Sequence, residues 1–385
     1  MTQAFCPFIY AISTLFLSCF MTQTSHYAGL NRRLCELCDL KKCLNLSLSI
    51  LFLLTLTFFT CFTANAQVES DAFDLSIKKL SALQSSEAKT LEDPKHGTQV
   101  LSHGRKTKYV LLSLPGLHES PFHLKALNQF FFEEGANVLS LHLPGHQQKN
   151  QNAIDKVKAK EWEDAVSEAI AMAHGLGDEI IVLGYSTGGV LAVQAALQRP
   201  KEISQLYLFA PALALSNRTF LFALFGQLAM GAKLCDIQKP GLMCDAFESL
   251  DHQTIQMMKE GVYPSASAGI EVQRVIDDIK MQFSDSASND YYPALIEAYS
   301  QLTVPTFLVS SMADSVTTPI FNRTIFESWT MRKHMVEYPK NLNVTHLMIS
   351  KSKSDALPHS PNDSYNPYFP QLLPQIKIFW KGGDL

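Results

Sequence analysis

A serine stands in the middle of residues 179–196, EIIVLGYSTGGVLAVQAA, where a β-branched, apolar run gives way to a helix-like segment. Glycines flank this serine as Gly184-x-Ser186-x-Gly188. A strand-to-helix turn this tight leaves no room for side chains at 184 and 188, and it lifts the serine hydroxyl above the edge of a sheet. We therefore predict that Ser186 is a nucleophile that attacks a carbonyl carbon. The alternative is that the glycines only join a strand to a helix.

A serine hydroxyl is a weak nucleophile unless a base takes its proton and an acid orients that base. In a strand–turn–helix setting, both partners are expected after the serine, acid first, each on a loop that follows a strand. Asp314 ends the apolar stretch TFLVSSMAD, and His346 lies in NVTHLMIS, shortly after HMVEYP. We predict these two residues as acid and base. The alternatives are that Asp314 only caps a helix and that His359, in LPHSPND, is the base.

An oxyanion formed by such an attack needs two backbone N–H donors that are already in place. The first is expected from Thr187, directly after the nucleophile, at the start of the helix. The second is expected from the loop 115–118, which follows the apolar run KYVLLSL. Because Pro115 has no N–H, we predict Leu117 as the second donor, with His118 as the alternative.

The elements that must position these residues alternate between apolar strands and amphipathic helices from Thr98 onward. This alternation predicts an α/β fold with a mostly parallel sheet and helices on both faces. Over 214–302 the pattern becomes mainly helical, which predicts a cap insertion that folds over the sheet. The core is then expected in two pieces, 98–213 and 303–385. A polar entry segment, 67–97, precedes it and is predicted to be loosely structured.

The first 66 residues differ from the rest of the chain. Four basic residues between 32 and 42 precede an apolar run at 44–62, and the stretch TANAQ follows. This order is typical of a secretory signal peptide cleaved after Ala66, so we predict an exported protein, either periplasmic or secreted. The second apolar stretch upstream would be explained by an alternative start at Met21. The competing interpretation keeps 44–62 as a membrane anchor.

Six of the eight cysteines lie in this leader, and Cys235 and Cys244 remain in the mature chain. An oxidising compartment favours a local disulfide between these two, although two buried thiols would also fit. The leader cysteines at 35, 38 and 43 have no matching second pair, so we predict no metal site there.

Composition limits the partners. The 385 residues carry a net charge of −4 and no basic run, so nucleic acid is not an expected partner. In the predicted cap, residues 220–232 (FLFALFGQLAMGA) are apolar almost all round, which predicts ordinary cap packing or a wall for an acyl chain. A small-molecule or lipid-like ester, and a membrane surface met through the leader or the cap, are the partners these patterns suggest. They predict no oligomeric state.

Several stretches together resemble the α/β-hydrolase fold: LLSLPGLHESPFHLKALNQFFFEEGANVLSLHLPGH, GYSTGGVLAVQAA, PTFLVSSMADSVTTP and VTHLMIS. Within that fold the chain is most similar to bacterial carboxylesterases and monoacylglycerol lipases. The resemblance extends from about Lys108 to the C-terminus, outside the cap, and implies ester hydrolysis through an acyl-enzyme with no metal and no cofactor. Relatives often have His-Gly where this chain has Pro115-Gly116, which leaves the oxyanion donor less defined.

Two other functions stay open. An exported peptidase or amidase on the same fold would use the same three residues and an acidic pair that binds an amine, for which Asp277 and Asp278 are candidates. A catalytically silent member of the fold would act as a binding protein, and would be expected to have lost one of the three residues.

Overall fold

A computed structural model describes residues 71–215, 266–285, 290–349 and 365–383. Seven strands form one sheet in the order β1-β3-β2-β4-β5-β6-β7. The strands are β1 (Gln99–Leu101), β2 (Thr107–Leu114), β3 (Asn137–Ser140), β4 (Gly177–Tyr185), β5 (Ile203–Phe209), β6 (Thr306–Ser311) and β7 (Lys333–Tyr338). The helices are α1 (71–87), α2 (Lys125–Glu133), α3 (Ala159–Leu176), α4 (Thr187–Gln198), α5 (Ala266–Phe283), α6 (Tyr291–Ser300), α7 (Pro319–Ser328) and α8 (Phe369–Trp380).

The sheet is parallel except at one edge, where β1 runs antiparallel to β3. Its central strands are buried on both faces, because side chains that alternate along a strand enter two different hydrophobic clusters. On β2, Leu112 packs in the cluster that includes α3 and α4, whereas its neighbour Leu111 packs in the cluster that includes α2 and α8. The predicted mostly parallel α/β architecture with helices on both faces is therefore confirmed.

The prediction of a loosely structured entry segment was wrong, because residues 71–87 are helical. Phe73 and Leu80 of α1 are buried in the main hydrophobic cluster. The helix crosses α3 at Gly175, where an added Cβ would lie 2.6 Å from the carbonyl oxygen of Ala72. The segment is mostly polar, so its sequence did not indicate a helix. The helix is stabilised by one narrow apolar face that packs against the core.

Two helices, α5 and α6, fall within the predicted cap 214–302, in agreement with its helical pattern. Glu271 of α5 is buried and accepts hydrogen bonds from the Ala159 amide at 3.0 Å and from Lys158 Nζ at 3.2 Å. Because Ala159 is the first residue of α3, this carboxylate joins α5 to the start of a core helix. Residues 216–265, with the apolar run 220–232, lie outside the described residues.

The predicted leader and the alternative anchor at 44–62 also lie outside the described residues, so export and anchoring stay predictions. Within the described ranges, no helix is both long enough and apolar enough to cross a bilayer.

Candidate active site

Ser186 occupies the sharp turn between β4 and α4 with φ 52° and ψ −114°. A positive φ is unfavourable for a residue with a side chain, so the surrounding contacts must hold it. The Ser186 amide donates to the Phe209 carbonyl at 3.0 Å, and the Ser186 carbonyl accepts from the Ala212 amide at 3.0 Å. Backbone groups at the end of β5 and just after it therefore hold the strained residue in place.

Gly184 and Gly188 flank Ser186 in this turn, which we call the elbow, and close backbone contacts require both glycines. An added Cβ at Gly184 would lie 2.6 Å from the Cα of Gly189, and one at Gly188 would lie 2.6 Å from the Pro115 carbonyl oxygen. Contacts this short are not available to real side chains, so the backbone could not keep its path with alanine at either position.

Ser186, His346 and Asp314 form a hydrogen-bonded row. Ser186 Oγ lies 3.0 Å from His346 Nε2, and His346 Nδ1 lies 2.8 Å from Asp314 Oδ2. An ionised carboxylate can only accept, so Nδ1 carries the proton and Nε2 accepts the serine hydroxyl. Asp314 follows β6 and His346 follows β7, and the carboxyl ends of parallel strands bring both to the edge where β4 presents Ser186.

The Asp314 carboxylate is buried and receives several further donors. Its oxygens accept from the amides of Val316 at 2.8 Å and Thr317 at 3.1 Å, and from the Thr317 hydroxyl at 2.7 Å. Burial alone would raise the pKa of Asp314, but the charge and hydrogen bond of His346, with the donors of Thr317 and Val316, outweigh it and lower that pKa. Asp314 does not cap α7, whose N-cap residue is Thr318, so the helix-capping alternative does not hold.

The loop that carries His346 is tied to the sheet. Asn343 adopts a left-handed conformation with φ 51°, which asparagine tolerates better than most residues. The Ser311 hydroxyl, at the end of β6, then donates to the Val344 carbonyl at 2.6 Å. His346 therefore lies two residues beyond a carbonyl that is hydrogen-bonded to the end of β6.

The predicted oxyanion loop lies against Ser186. An added Cβ at Gly116 would be 3.2 Å from the Cβ of Ser186, so the loop approaches the serine closely. Leu117 follows directly and is half-buried, and Thr187 is the buried first residue of α4. Among the residues that the structure describes, neither the Leu117 nor the Thr187 amide donates to a protein acceptor.

Burial keeps the ionisable side chains in and beside this loop mainly neutral near pH 7. Burial lowers the pKa of His118 and of His123 to about 4, so both imidazoles are neutral near pH 7. Burial raises the pKa of Glu119 to about 8, so its carboxyl stays mainly protonated at that pH. The His123 Nδ1 atom accepts the Ser120 amide at 3.0 Å, which gives it a role in the loop fold rather than in a reaction.

The remaining predicted site residues are not described. Cys235, Cys244 and His359 lie outside the described residues, so the disulfide stays a prediction. Within the described part of the chain, no group of three or more His, Cys, Asp or Glu side chains is placed to hold a metal ion. The contact of the Thr317 hydroxyl with Asp314 was not predicted, although a threonine three residues after a loop aspartate is a recognisable local pattern.

Residues 105–342 match the family described as serine aminopeptidase, S33. The chain belongs to this family. The match spans β2 to the end of the short turn after β7, and thus includes Ser186 and Asp314, while His346 lies four residues beyond it. This membership makes the chain a serine hydrolase of the α/β-hydrolase fold, as the resemblance predicted. A comparison with curated proteins finds no match for this hydrolase.

A solved structure of a lipolytic enzyme shares the fold of this hydrolase, and two lipase structures are similar to it at lower TM-scores. The structure of a metagenome-derived lipolytic enzyme, described with LipS and LipT, is 17% identical with a TM-score of 0.51, and the alignment covers 75% of this chain and 98% of that one. A monoacylglycerol lipase of Paleococcus ferrophilus is 18% identical with a TM-score of 0.48, over 74% of this chain and 96% of that one. A monoglyceride lipase of Saccharomyces cerevisiae is 12% identical with a TM-score of 0.47, over 73% and 90%.

Proposed function

We propose that this hydrolase cleaves carboxylic esters through an acyl-enzyme intermediate, with Ser186 as nucleophile, His346 as general base and Asp314 as the residue that orients the base. The observation that carries this proposal is the hydrogen-bonded row of the three side chains, with the serine held in a strained elbow. The geometry matches the roles that a nucleophile, a base and an orienting acid must have in acyl transfer.

In the first step, Ser186 Oγ attacks the ester carbonyl carbon while His346 Nε2 takes the hydroxyl proton. The carbonyl oxygen becomes an oxyanion, and we assign its two donors to the amides of Leu117 and Thr187. Asp314 stays ionised because its pKa is lowered, so it stabilises the imidazolium that forms. The imidazolium then protonates the leaving alcohol, which departs and leaves an acyl ester on Ser186.

In the second step, His346 takes a proton from a water molecule as that water attacks the acyl carbon. The second tetrahedral intermediate uses the same two amide donors. Collapse returns the proton from His346 to Ser186 Oγ and releases the carboxylic acid. One ester bond and one water are consumed, and the serine and histidine end in their starting protonation states.

An exported serine aminopeptidase or amidase is the second candidate, because the family description names an aminopeptidase. Such an enzyme needs an acidic group that is free to bind a substrate amine. Asp277 Oδ1 instead accepts the Tyr291 hydroxyl at 2.8 Å and Gln273 Nε2 at 3.1 Å, which joins α5 to α6. Its neighbour Asp278 has a pKa raised by burial and by the Asp277 charge. These contacts, together with the lipolytic enzyme among the solved structures, favour an ester.

A lipid-like or medium-chain ester is the substrate class that we favour, because the predicted cap contains the apolar run 220–232. Export with cleavage after Ala66, the disulfide Cys235–Cys244 and contact of the leader or cap with a membrane surface remain parts of this proposal. N-terminal sequencing of the protein recovered from its host separates cleavage from anchoring through 44–62.

The test is labelling by a fluorophosphonate, read by intact mass, of the full chain beside its Ser186→Ala variant. We expect one label per molecule in the parent and none in the variant. Ser204→Ala, on β5, is the control and is expected to keep the label. Hydrolysis of p-nitrophenyl butyrate, with no cleavage of aminoacyl p-nitroanilides, supports the ester assignment; the reverse result supports the peptidase. A folded parent that takes no label contradicts the whole proposal.

A further inference from the structure

Tyr185, the residue directly before the nucleophile, lies between the oxyanion loop and the loop that carries the base. Its side chain is buried, with 1% of its surface exposed. On one side, an added Cβ at Gly116 would be 3.0 Å from Cδ1 and Cε1 of the Tyr185 ring. On the other side, the ring centroid is 5.3 Å from that of the His346 imidazole. The phenol therefore fills the space between the two loops that flank Ser186.

The Tyr185 hydroxyl donates a hydrogen bond to the His346 carbonyl at 3.1 Å. The same carbonyl accepts the Met348 amide at 2.8 Å, so it has one donor from its own loop and one from β4. Two residues earlier, Ser311 of β6 holds the Val344 carbonyl. The base loop is thus tied to two different strand ends, and one of these is the strand end that carries the nucleophile.

We propose that Tyr185 is a positioning residue, whose hydroxyl holds the main chain of His346 at the distance from Ser186 that proton transfer requires. This inference rests on the proposed function, since it concerns the base of that reaction. Asp314 orients the imidazole through Nδ1, whereas Tyr185 acts on the backbone of the same residue. The two contacts therefore restrain different degrees of freedom, the ring orientation and the position of the loop.

The environment of the phenol suits this role. Burial, with the carboxyls of Glu119 and Asp314 nearby, raises the pKa of Tyr185 well above its ordinary value. The hydroxyl therefore stays protonated near pH 7 and can donate this hydrogen bond. The partner of the hydroxyl is the His346 backbone carbonyl. Phenylalanine lacks only the hydroxyl, so it would keep the ring contacts with Gly116 and His346 and remove only this hydrogen bond.

The test is the Tyr185→Phe variant, assayed with p-nitrophenyl butyrate and with a fluorophosphonate. We expect kcat and the rate of fluorophosphonate labelling to fall about tenfold, because reactivity depends steeply on the alignment of the reacting groups. We expect KM to change less than about twofold, since a uniform loss of substrate binding is not involved. The final extent of labelling counts folded sites, so a loss caused by unfolding is separated from a loss of reactivity.

Tyr207→Phe is the matched control. Tyr207 is a buried tyrosine on β5 whose hydroxyl donates to Gln205 Oε1 at 2.9 Å. It belongs to the hydrophobic cluster that includes α2 and α8, and it is not part of the hydrogen-bonded row of Ser186, His346 and Asp314. We expect it to lower the thermal midpoint about as much as Tyr185→Phe and to leave kcat unchanged. A kcat of Tyr185→Phe within twofold of the parent, with Ser186→Ala inactive, would overturn the positioning role alone. Activity that survives in Ser186→Ala would instead overturn the proposed function.

Discussion

The hydroxyl of Thr317 donates to Oδ2 of Asp314 at 2.7 Å, and this is the same oxygen that lies 2.8 Å from His346 Nδ1. One carboxylate oxygen thus receives both the imidazole and a neighbouring hydroxyl, while Oδ1 receives the amides of Val316 and Thr317. The carboxylate is held from both sides, so its orientation towards His346 is determined by its own loop and not by the base alone.

Thr317→Val removes that hydroxyl and keeps the size of the side chain. We expect kcat to fall about three- to tenfold, because one hydrogen bond to a charged acceptor is lost and the carboxylate gains freedom to turn. The pKa of Asp314 should rise, since one of the donors that lowers it is gone. Thr324→Val is the control, because the half-buried Thr324 hydroxyl donates only to the Ile320 carbonyl within α7. Ester turnover unchanged in Thr317→Val would show that the amides suffice.

Asp314→Asn tests the orienting role of the carboxylate. An amide can donate as well as accept, so it favours the tautomer of His346 that carries its proton on Nε2 and cannot take the serine proton. We expect kcat to fall by about 10⁴-fold, with folding retained. Asp178→Asn, which removes an exposed carboxylate paired with Lys106, should keep full activity. Substantial activity in Asp314→Asn would mean that another group orients the base.

Glu119→Gln tests the protonated carboxyl of the residue directly after the predicted oxyanion loop. The ordinary pKa of this group is 4.5, and burial raises it in the native state to about 8. The contribution of Glu119 to the free energy of unfolding is therefore fully present below about pH 4.5. It is lost as the pH rises towards 8, because the unfolded chain releases a proton that the native chain keeps. We expect the free energy of unfolding of Glu119→Gln, relative to the parent, to increase from about pH 5 to about pH 8.

Urea unfolding of both proteins across this range measures that difference. Glu133→Gln, at a position on α2 in contact with Gln129, is the control for a general loss of one carboxylate. An equal trend in the control, or a constant difference between Glu119→Gln and the parent, would contradict a buried neutral carboxyl at position 119.

Gly188→Ala tests the packing of the elbow against the oxyanion loop. Its Cβ would meet the carbonyls of Leu114 and Pro115, so either the helix start or the loop must move. We expect a loss of at least tenfold in kcat, with a lower thermal midpoint, because the two proposed oxyanion donors belong to these two segments. Gly104→Ala, with φ 73° and no atom within 4 Å of the added Cβ, is the control for backbone strain without collision. It should cost about 1 kcal/mol of stability and no activity.

The elements of the core could be predicted because their signals are local. The apolar runs of β2, β4 and β6 are long and continuous, and such runs can be buried only in the middle of a sheet. The predicted strand boundaries were less accurate: the stretch ANVLSLHLPG forms β3 only over Asn137–Ser140. Helix 71–87 was missed because its apolar face is narrow and becomes a signal only against its partner, α3.

The candidate site shows the same difference between local sequence signals and contacts that exist only in the folded chain. The sequence by itself determined the order Ser186, Asp314, His346 and the glycines of the elbow, because residue type, spacing and a following strand or helix are all properties of neighbours along the chain. Only the tertiary structure decided that Thr317 contacts Asp314 and that Tyr185 contacts His346. Tyr185 and His346 are 161 residues apart, and their contact exists because parallel strands end at one edge of the sheet. Hydrogen bonds between distant segments leave no periodic trace in a sequence, so they appear only when the fold brings the segments together.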